Sequence, residues 1–266
     1  MLEVNGTDLY HEIRGTGPPL LLIMGATGDA GHFERLAELL ADEFTVVTYD
    51  RRGNGRSPRP AGWAATSPEE QADDAAALVE ALDLAPAAVL GTSLAGVIAL
   101  CLVLRNPRVV GGAILHEPAF WSLFDNPDEV KRTVGAAVAD GMRCGGSREA
   151  IERFYRFVAG DANWEGLDPE LRERVLAGAD TYLEVERGAF ATYLPDEGTL
   201  ARIATPIQLL LGDQSLPYFA QAPSRLAKRL GIEITTTAGT HFAYLDHPVE
   251  LAETMRPFLR EVSGVR

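Results

Sequence analysis

Residues 87–96 read AAVLGTSLAG, and the apolar residues VIALCLVL follow at 97–104. Apolar residues, then a run of small residues, then a helix-forming stretch predict a strand, a sharp turn and a helix. A serine at such a turn, here Ser93, has strained backbone geometry and an exposed hydroxyl in front of a helix N-terminus. This sequence departs from the usual G-x-S-x-G pattern, because Ala95, the smallest alternative, stands in place of the second glycine. The other interpretation is an ordinary strand-to-helix turn with Ser93 as the helix N-cap.

Strands and helices alternate on both sides of this turn. The predicted strands are 2–4, 8–14, 20–24, 44–49, 87–90 and 109–115, and the predicted helices are 32–40, 68–82 and 94–105. Asn5-Gly6 predicts a hairpin between the first two strands, and Ser67-Pro68-Glu69-Glu70 is a capping box with proline at the first helical position. This alternation predicts an α/β fold, with a mostly parallel, doubly wound sheet and helices on both of its faces.

The alternation stops between residues 118 and 195, where we find helical patches and no convincing buried strand. The helical patches are 129–141, 148–158, 169–179 and 182–192, and the later strands and helices are 206–211, 222–230, 232–237 and 249–262. An all-helical insertion between two strands of one sheet is typical of a cap over the sheet's C-terminal edge. We therefore predict a core domain formed by 1–117 and 196–266, and an inserted helical cap domain formed by 118–195.

About half of the chain's aromatic residues lie in the predicted cap. Most of them must pack the cap onto the core, but a few usually line an apolar pocket in such a position. The residues predicted to bind substrate there are Phe120, Trp121, Trp164 and Tyr193.

The chain has 266 residues and a formal net charge of −14. It has no basic cluster, which argues against nucleic acid and anionic membranes as partners. The N-terminal residues lack the charged and apolar regions of a signal peptide, and no window approaches the length of about 18 apolar residues needed to span a membrane. We therefore expect a soluble, cytoplasmic protein. Cys101 and Cys144 do not have the spacing of a metal or redox site.

A nucleophilic serine at neutral pH needs a base, and the base needs an orienting carboxylate. Among the five histidines, His241 lies in the loop AGTHF at 238–242, which leaves the C-terminal end of the last predicted strand. Catalytic groups of open parallel sheets gather at that edge, so His241 is the predicted base. His247 is predicted to cap the final helix.

Two carboxylates compete for the role of orienting acid. Glu117 follows the strand beside the nucleophile's strand, whereas Asp213 follows a later strand. Both strand ends face the same edge of the sheet, so either carboxylate could reach the base. The usual pattern at the later strand is Gly, two spacer residues and then Asp, but here Asp213 follows Gly212 directly and Ser215 holds the expected position. The spacing favours Glu117 and leaves Asp213 as the alternative.

An oxyanion hole requires two backbone N–H groups directed at the developing negative charge. The first predicted donor is Leu94, directly after the serine at the helix N-terminus. The second is expected from the loop MGATG at 24–28. Met24 stands where His often occurs in this context, but a backbone donor survives that change.

Several segments together resemble the α/β-hydrolase superfamily: IMGA at 23–26, YDRRGNGRS at 49–57, GTSLAG at 91–96 and GTHF at 239–242. The likeness is closer to the lactone hydrolases that open the mycotoxin zearalenone, through GTGP at 15–18, the serine turn, HEP at 116–118, and HFAY with HP at 241–248. This resemblance implies that the acid is the glutamate of a His-Glu dipeptide, here Glu117. It also implies that Ala26 is the second oxyanion donor.

These residues predict a serine hydrolase that cleaves an ester or lactone of a hydrophobic small molecule through an acyl-enzyme, with Ser93 as nucleophile, His241 as base and Glu117 as acid. This chemistry needs no metal or organic cofactor. A carbon–carbon bond hydrolase or a perhydrolase could use the same triad, and a hydrolase fold could also serve as a non-catalytic small-molecule receptor. The residues do not select one substrate or one oligomeric state.

Overall fold

The computed structural model describes residues 1–264 and has a seven-stranded sheet at its centre. The strands are β1 (Leu2–Val4), β2 (Thr7–Leu9), β3 (His11–Arg14), β4 (Pro19–Ile23), β5 (Thr45–Tyr49), β6 (Ala87–Thr92), β7 (Val110–His116), β8 (Ile207–Gly212) and β9 (Ile234–Thr237). The sheet order is β3-β5-β4-β6-β7-β8-β9, with β3 antiparallel at one edge and the other strands parallel. The predicted mostly parallel α/β sheet is confirmed.

Helices cover both faces of this sheet. The helices of the described chain are α1 (Glu34–Leu40), α2 (Pro68–Ala81), α3 (Leu94–Arg105), α4 (Pro127–Ala159), α5 (Asp161–Gly166), α6 (Pro169–Ala177), α7 (Ala179–Thr181), α8 (Arg187–Phe190), α9 (Glu197–Leu200), α10 (Gln221–Leu230), α11 (Ala243–Asp246) and α12 (Pro248–Ser263). Short 3-10 turns lie at Ala30–Phe33, Trp121–Leu123 and Pro217–Ala220. α3 packs on β6 and β7 and contacts α2, whereas α12 packs on the same two strands and contacts α1, which itself lies against β5. Because β6 is buried along its whole length, these two pairs cover opposite faces.

The N-terminal hairpin forms as predicted, but the strand predicted at 8–14 is two strands. Asn5 and Gly6 have φ values of 47° and 72°, which suit the tight two-residue turn between β1 and β2. The N–H of Tyr10 donates to Ser57 Oγ at 2.9 Å instead of to a neighbouring strand. The ladder is therefore interrupted at Tyr10, and the chain passes from the hairpin into the central sheet.

Helix α2 begins at the predicted Ser67 N-cap, but the reciprocal half of the capping box does not form, because the carboxylate of Glu70 binds other side chains. Ser67 Oγ accepts a hydrogen bond from the N–H of Glu70 at 3.1 Å, and Pro68 occupies the first helical turn. The helix ends at Ala81, one residue before the predicted end. Local side-chain chemistry was sufficient to place this helix.

Between β7 and β8 the described chain contains helices and no strand. The helices predicted at 129–141 and 148–158 are the two halves of α4, which is interrupted where Gly145 and Gly146 leave helical geometry. Sequence patterns missed α5, because a helix of six residues is too short to display an amphipathic period. Within residues 1–264, no helix combines the length and the apolar character that a membrane span requires.

A buried ion pair joins the loop after β5 to this helical segment. Tyr182–Glu186 is a π-helical turn rather than the start of the predicted α-helix. Its last residue, Glu186, is 0% exposed and binds the guanidinium of Arg51, whose side chain is 1% exposed. Asn54 Nδ2 and Gln71 Nε2 donate to the same carboxylate at 3.0 and 3.1 Å. The charge of Glu186 is therefore compensated on several sides, as a buried carboxylate requires.

The same arginine also holds the loop that follows β4. Arg51 Nε donates to the carbonyl oxygen of Met24 at 2.8 Å, and Arg51 Nη2 donates to that of Gly25 at 2.9 Å. One guanidinium thus connects the loop after β4 to the helical segment between β7 and β8.

We expect Glu186→Gln to lower the free energy of unfolding by about 3–5 kcal/mol, because it leaves the buried charge of Arg51 without its counter-ion. Urea denaturation monitored by circular dichroism measures this change. Glu173→Gln is the matched control, because Glu173 pairs with Arg148 on the surface, where the side chains are 65% and 48% exposed, and should cost about 1 kcal/mol or less. Equal losses in the two variants would contradict a structural role for the buried pair.

Candidate active site

Ser93 lies at a strained turn between β6 and α3. Its backbone has φ 55° and ψ −121°, and its side chain makes no N-cap hydrogen bond, so the interpretation as an ordinary cap is wrong. Strand and helix approach so closely that a Cβ on Gly91 would lie 2.2 Å from the carbonyl oxygen of Ala95. The close contact therefore requires glycine at position 91, while alanine fits at position 95. A non-glycine residue in such a conformation costs about 1–3 kcal/mol and is typical of functional sites.

Glu117 follows β7 and is also strained, with φ 45°. Its N–H donates to the carbonyl oxygen of Leu210 at 3.0 Å, and its side chain is fully buried. Oε2 lies 2.5 Å from His241 Nδ1. Oε1 accepts from the N–H of Gly212 at 2.9 Å and from Ser215 Oγ at 2.5 Å. Both oxygens are thus used, and one of them orients the histidine.

The hydrogen bonds of Glu117 decide its protonation. Burial by itself raises the pKa of this carboxyl group, but the hydrogen bond and charge of His241, the nearby His116 and the hydroxyl of Ser215 lower it to about 2. Glu117 is therefore a carboxylate at neutral pH, as an acceptor of the imidazole N–H must be.

Asp213, the alternative acid, is exposed and engaged elsewhere. Its Oδ1 accepts a hydrogen bond from the N–H of Gly239 at 3.0 Å. It therefore holds the backbone of the loop before His241 rather than the imidazole. The position where the usual spacing places an acid is occupied by Ser215, which donates to Glu117.

The imidazole of His241 is held on its face as well as at Nδ1. The ring stacks on Phe219 with centroids 3.9 Å apart and an interplanar angle of 13°. The ring of His116 lies at 6.3 Å from that of His241, and burial lowers the pKa of His116 to about 4. His116 is therefore neutral at pH 7, and its positive charge acts on Glu117 only in the acid range.

His247 occupies the N-cap position of α12, as predicted, but its side chain does not cap the helix. Its Nδ1 lies 3.0 Å from Asp246 Oδ1. Asp246 Oδ2 also accepts from Thr240 Oγ1 at 2.5 Å, so this pair anchors the loop that carries His241.

The loop after β4 packs directly against the serine turn. A Cβ on Gly25 would lie 3.2 Å from Ser93 Cβ and 3.7 Å from the nitrogen of Leu94. The carbonyl oxygen of Ala26 accepts from Tyr155 Oη at 3.0 Å, so a residue of α4 fixes the orientation of this loop. Ala26 and Leu94, the predicted oxyanion donors, both line the cavity in front of Ser93.

This cavity has a volume of about 390 Å³, and Ser93 and His241 both lie on its wall. The rest of the wall is mainly apolar and aromatic. Its aromatic side chains are Trp121, Phe124, Phe154, Tyr155, Phe157, Tyr182, Phe190, Tyr218, Phe219, Phe242 and Tyr244. A cavity of this size and composition is typical of a site for a small organic molecule.

Of the four residues predicted to bind substrate, only Trp121 lines the cavity. Phe120 is 0% exposed and lies in the core. Trp164 is 1% exposed and packs against Tyr155, with ring centroids 5.6 Å apart. Tyr193 donates its hydroxyl to Cys101 Sγ of α3 at 3.3 Å. The prediction is therefore wrong for Phe120, Trp164 and Tyr193.

One pattern in α4 could have indicated some of the cavity-lining residues that the sequence analysis missed. Phe154, Phe157 and Val158 recur at helical spacing and so share one face of the helix. Which of its faces a helix turns toward a cavity depends on its neighbours, so this stripe alone could not separate pocket from core.

A sequence profile of the alpha/beta hydrolase fold matches residues 18–143. The Uncharacterized hydrolase YraK of Bacillus subtilis (strain 168) is 30% identical over 267 residues, which cover 98% of this chain and 95% of that protein. The chain belongs to the alpha/beta hydrolase family.

Two further comparisons agree with this family. A zearalenone hydrolase of Cladophialophora bantiana is 27% identical over 97% of each chain. A thermophilic esterase from Thermogutta terrifontis has the same fold, with a TM-score of 0.79 at 23% identity over 97% of this chain and 94% of that chain. The resemblance predicted from the motifs is confirmed.

The low pKa of Glu117 predicts a specific pH dependence of stability. The folded-state pKa of this carboxyl group, about 2, lies below its ordinary value of 4.5. Ionised Glu117 therefore stabilises the fold at pH values above 4.5, and this contribution is lost as the pH falls toward about 2. We therefore expect the wild type to be more stable than Glu117→Gln at pH 7 and the difference to shrink below about pH 4.5. Urea midpoints of both proteins between pH 7 and about pH 3 test this, and a constant difference would contradict it.

Proposed function

We propose that this alpha/beta hydrolase is a serine hydrolase that cleaves an ester or lactone of a hydrophobic small molecule. The observation that carries the proposal is the 2.5 Å contact between His241 Nδ1 and the buried Glu117 carboxylate, with Ser93 and His241 on the wall of one cavity. An imidazole that donates from Nδ1 to a carboxylate has Nε2 available as a base.

In the first half-reaction, Ser93 Oγ attacks the carbonyl carbon while its proton passes to His241 Nε2. The carbonyl oxygen becomes an oxyanion, and the N–H groups of Leu94 and Ala26 stabilise its charge. The C–O bond to the leaving group then breaks, and His241 gives its proton to the departing alkoxide. An acyl-enzyme and an alcohol result, and in a lactone the alcohol remains attached to the acyl group.

In the second half-reaction, water attacks the acyl carbon while His241 takes one of its protons. The Oγ–C bond breaks, His241 returns that proton to Ser93 Oγ, and the carboxylic acid leaves. One water molecule is consumed for each ester or lactone bond cleaved. Glu117 remains ionised throughout and stabilises the imidazolium, and no step requires a metal or organic cofactor.

Residues 118–195 act as a cap in this proposal, because they supply much of the apolar cavity wall. Trp121, Phe154 and Leu183 come from this segment, whereas Ser93 and His241 come from the turn after β6 and the loop after β9. The hydrolysis named for the zearalenone-cleaving relative supports an ester or lactone as the reacting bond. The strained backbone at Ser93 favours an enzyme over a receptor with the same fold, since binding alone does not require it.

We expect a fluorophosphonate probe to label Ser93 and the label to be lost in Ser93→Ala. Turnover of p-nitrophenyl esters should fall to the background rate in the same variant, because the nucleophile is absent. Mass spectrometry of the labelled peptide and steady-state kinetics give the two readouts. Labelling at another residue, or ester turnover near the wild-type level in Ser93→Ala, would overturn the proposed mechanism.

We expect Glu117→Gln to lower kcat by about 10⁴-fold, because loss of the orienting acid of such a triad has about this effect. Asp213→Asn is the matched control and should lose roughly tenfold or less, since its carboxylate binds a backbone N–H rather than the histidine. Activity must be compared on folded protein, verified by circular dichroism, because Glu117 is buried. An inactive Asp213→Asn beside an active Glu117→Gln would show that the acid is Asp213.

A further inference from the structure

Two cationic side chains interrupt the otherwise apolar and aromatic wall of the cavity. Lys131 of α4 and Arg187 of α8 both line it and are both partly buried. The described wall contains no aspartate or glutamate. Within residues 1–264, neither cation forms an ion pair with a carboxylate of the protein. Both charges therefore lack a direct counter-ion among the described residues.

Arg187 lies close to the helix that carries Lys131. Lys131 lies one helical turn before Gly135, so the two positions share a face of α4. A Cβ placed on Gly135 would lie 3.5 Å from Arg187 Nη2. The guanidinium therefore lies over the helix face from which Lys131 projects.

The lack of carboxylate partners for Lys131 and Arg187 contrasts with the rest of the molecule, in which most arginines bind carboxylates. Arg187 is flanked in the chain by Glu184 and Glu186, yet Glu184 pairs with Arg59 and Glu186 pairs with Arg51. Acidic residues outnumber basic ones in this protein, which has a net charge of −14. Two unpaired cations in one cavity are thus an exception to a general pattern of pairing.

Partly buried cations beside apolar side chains gain most from a ligand that supplies the missing anion, because charge-assisted hydrogen bonds strengthen away from water. The cations belong to the helical segment, whereas Ser93 and His241 lie in the connections that follow β6 and β9. Apolar side chains of Val134, Phe154 and Leu183 line the same wall. A ligand with one polar reacting group, an apolar chain and an anionic end would match all three features.

We propose that Lys131 and Arg187 form a carboxylate-binding subsite, and that the substrate is an ester or lactone with a carboxylate separated from the reacting bond by an apolar chain. This inference rests on the proposed ester hydrolysis at Ser93. It adds that one end of the substrate is anionic, although the protein as a whole repels anions.

Two pairs of esters test this subsite, with the carboxylate on either side of the reacting bond. Ethyl hydrogen adipate and ethyl methyl adipate are compared by release of ethanol. 6-Acetoxyhexanoate and its methyl ester are compared by release of acetate. In at least one pair, we expect the wild type to have a kcat/KM about tenfold or more higher for the anionic member, because only that member can pair with the cations.

Lys131→Gln and Arg187→Gln should each lower the anionic-to-neutral ratio of kcat/KM by about 10- to 100-fold, the usual effect of losing a charge-assisted hydrogen bond. The ratio is internal to each protein, so it stays informative if a variant is partly unfolded. Arg132→Gln is the matched control, because Arg132 is the exposed neighbour of Lys131, lies outside the cavity wall and carries the same charge. It should keep the wild-type ratio.

The outcomes separate the subsite from the proposed reaction. Hydrolysis of neutral esters without preference for either anionic partner would overturn the carboxylate subsite and leave the serine hydrolase intact. An equal fall of the ratio in Arg132→Gln would also overturn it, since the effect would then come from overall charge. Absence of Ser93-dependent turnover of any of the four esters would overturn the proposed function itself.

Discussion

The buried carboxylate of Glu117 is the interaction on which the geometry of the site depends. It lies just after β7. One oxygen accepts hydrogen bonds from the N–H of Gly212 at the end of β8 and from the hydroxyl of Ser215, and the other oxygen contacts His241. Burial would favour the protonated form, so these donors are what keep the group ionised at neutral pH. Because both oxygens are occupied, the imidazole has a defined orientation relative to the sheet edge.

A second buried charge organises the surroundings in the same way. Arg51 binds Glu186 of the helical segment and the carbonyl oxygens of Met24 and Gly25 in the loop that packs on Ser93. A buried guanidinium is tolerated only where its donors are satisfied, and here its partners come from separate parts of the chain. The loop of the proposed oxyanion hole and the segment proposed as the cap are therefore connected through one side chain.

The cavity between these parts has two kinds of wall. The sheet edge supplies the reactive polar groups Ser93 and His241, and the helical segment supplies most of the apolar surface together with Lys131 and Arg187. In the proposed function, chemistry and selectivity are thus carried by different parts of the fold. This division is common where loops and insertions vary around a rigid scaffold.

The sequence by itself determined the strand–turn–helix around Ser93, the start of α2 at Ser67 and the parallel sheet, because spacing, capping and small residues act over a few positions. The sequence favoured Glu117 over Asp213 as the acid but left both open, and the tertiary structure brings only the carboxylate of Glu117 to His241. Tertiary structure also placed Trp121 in the cavity and Trp164 in the core. Contacts of that kind join residues far apart in the chain, and the side of a helix that meets a cavity depends on how neighbouring elements pack, which no local pattern encodes.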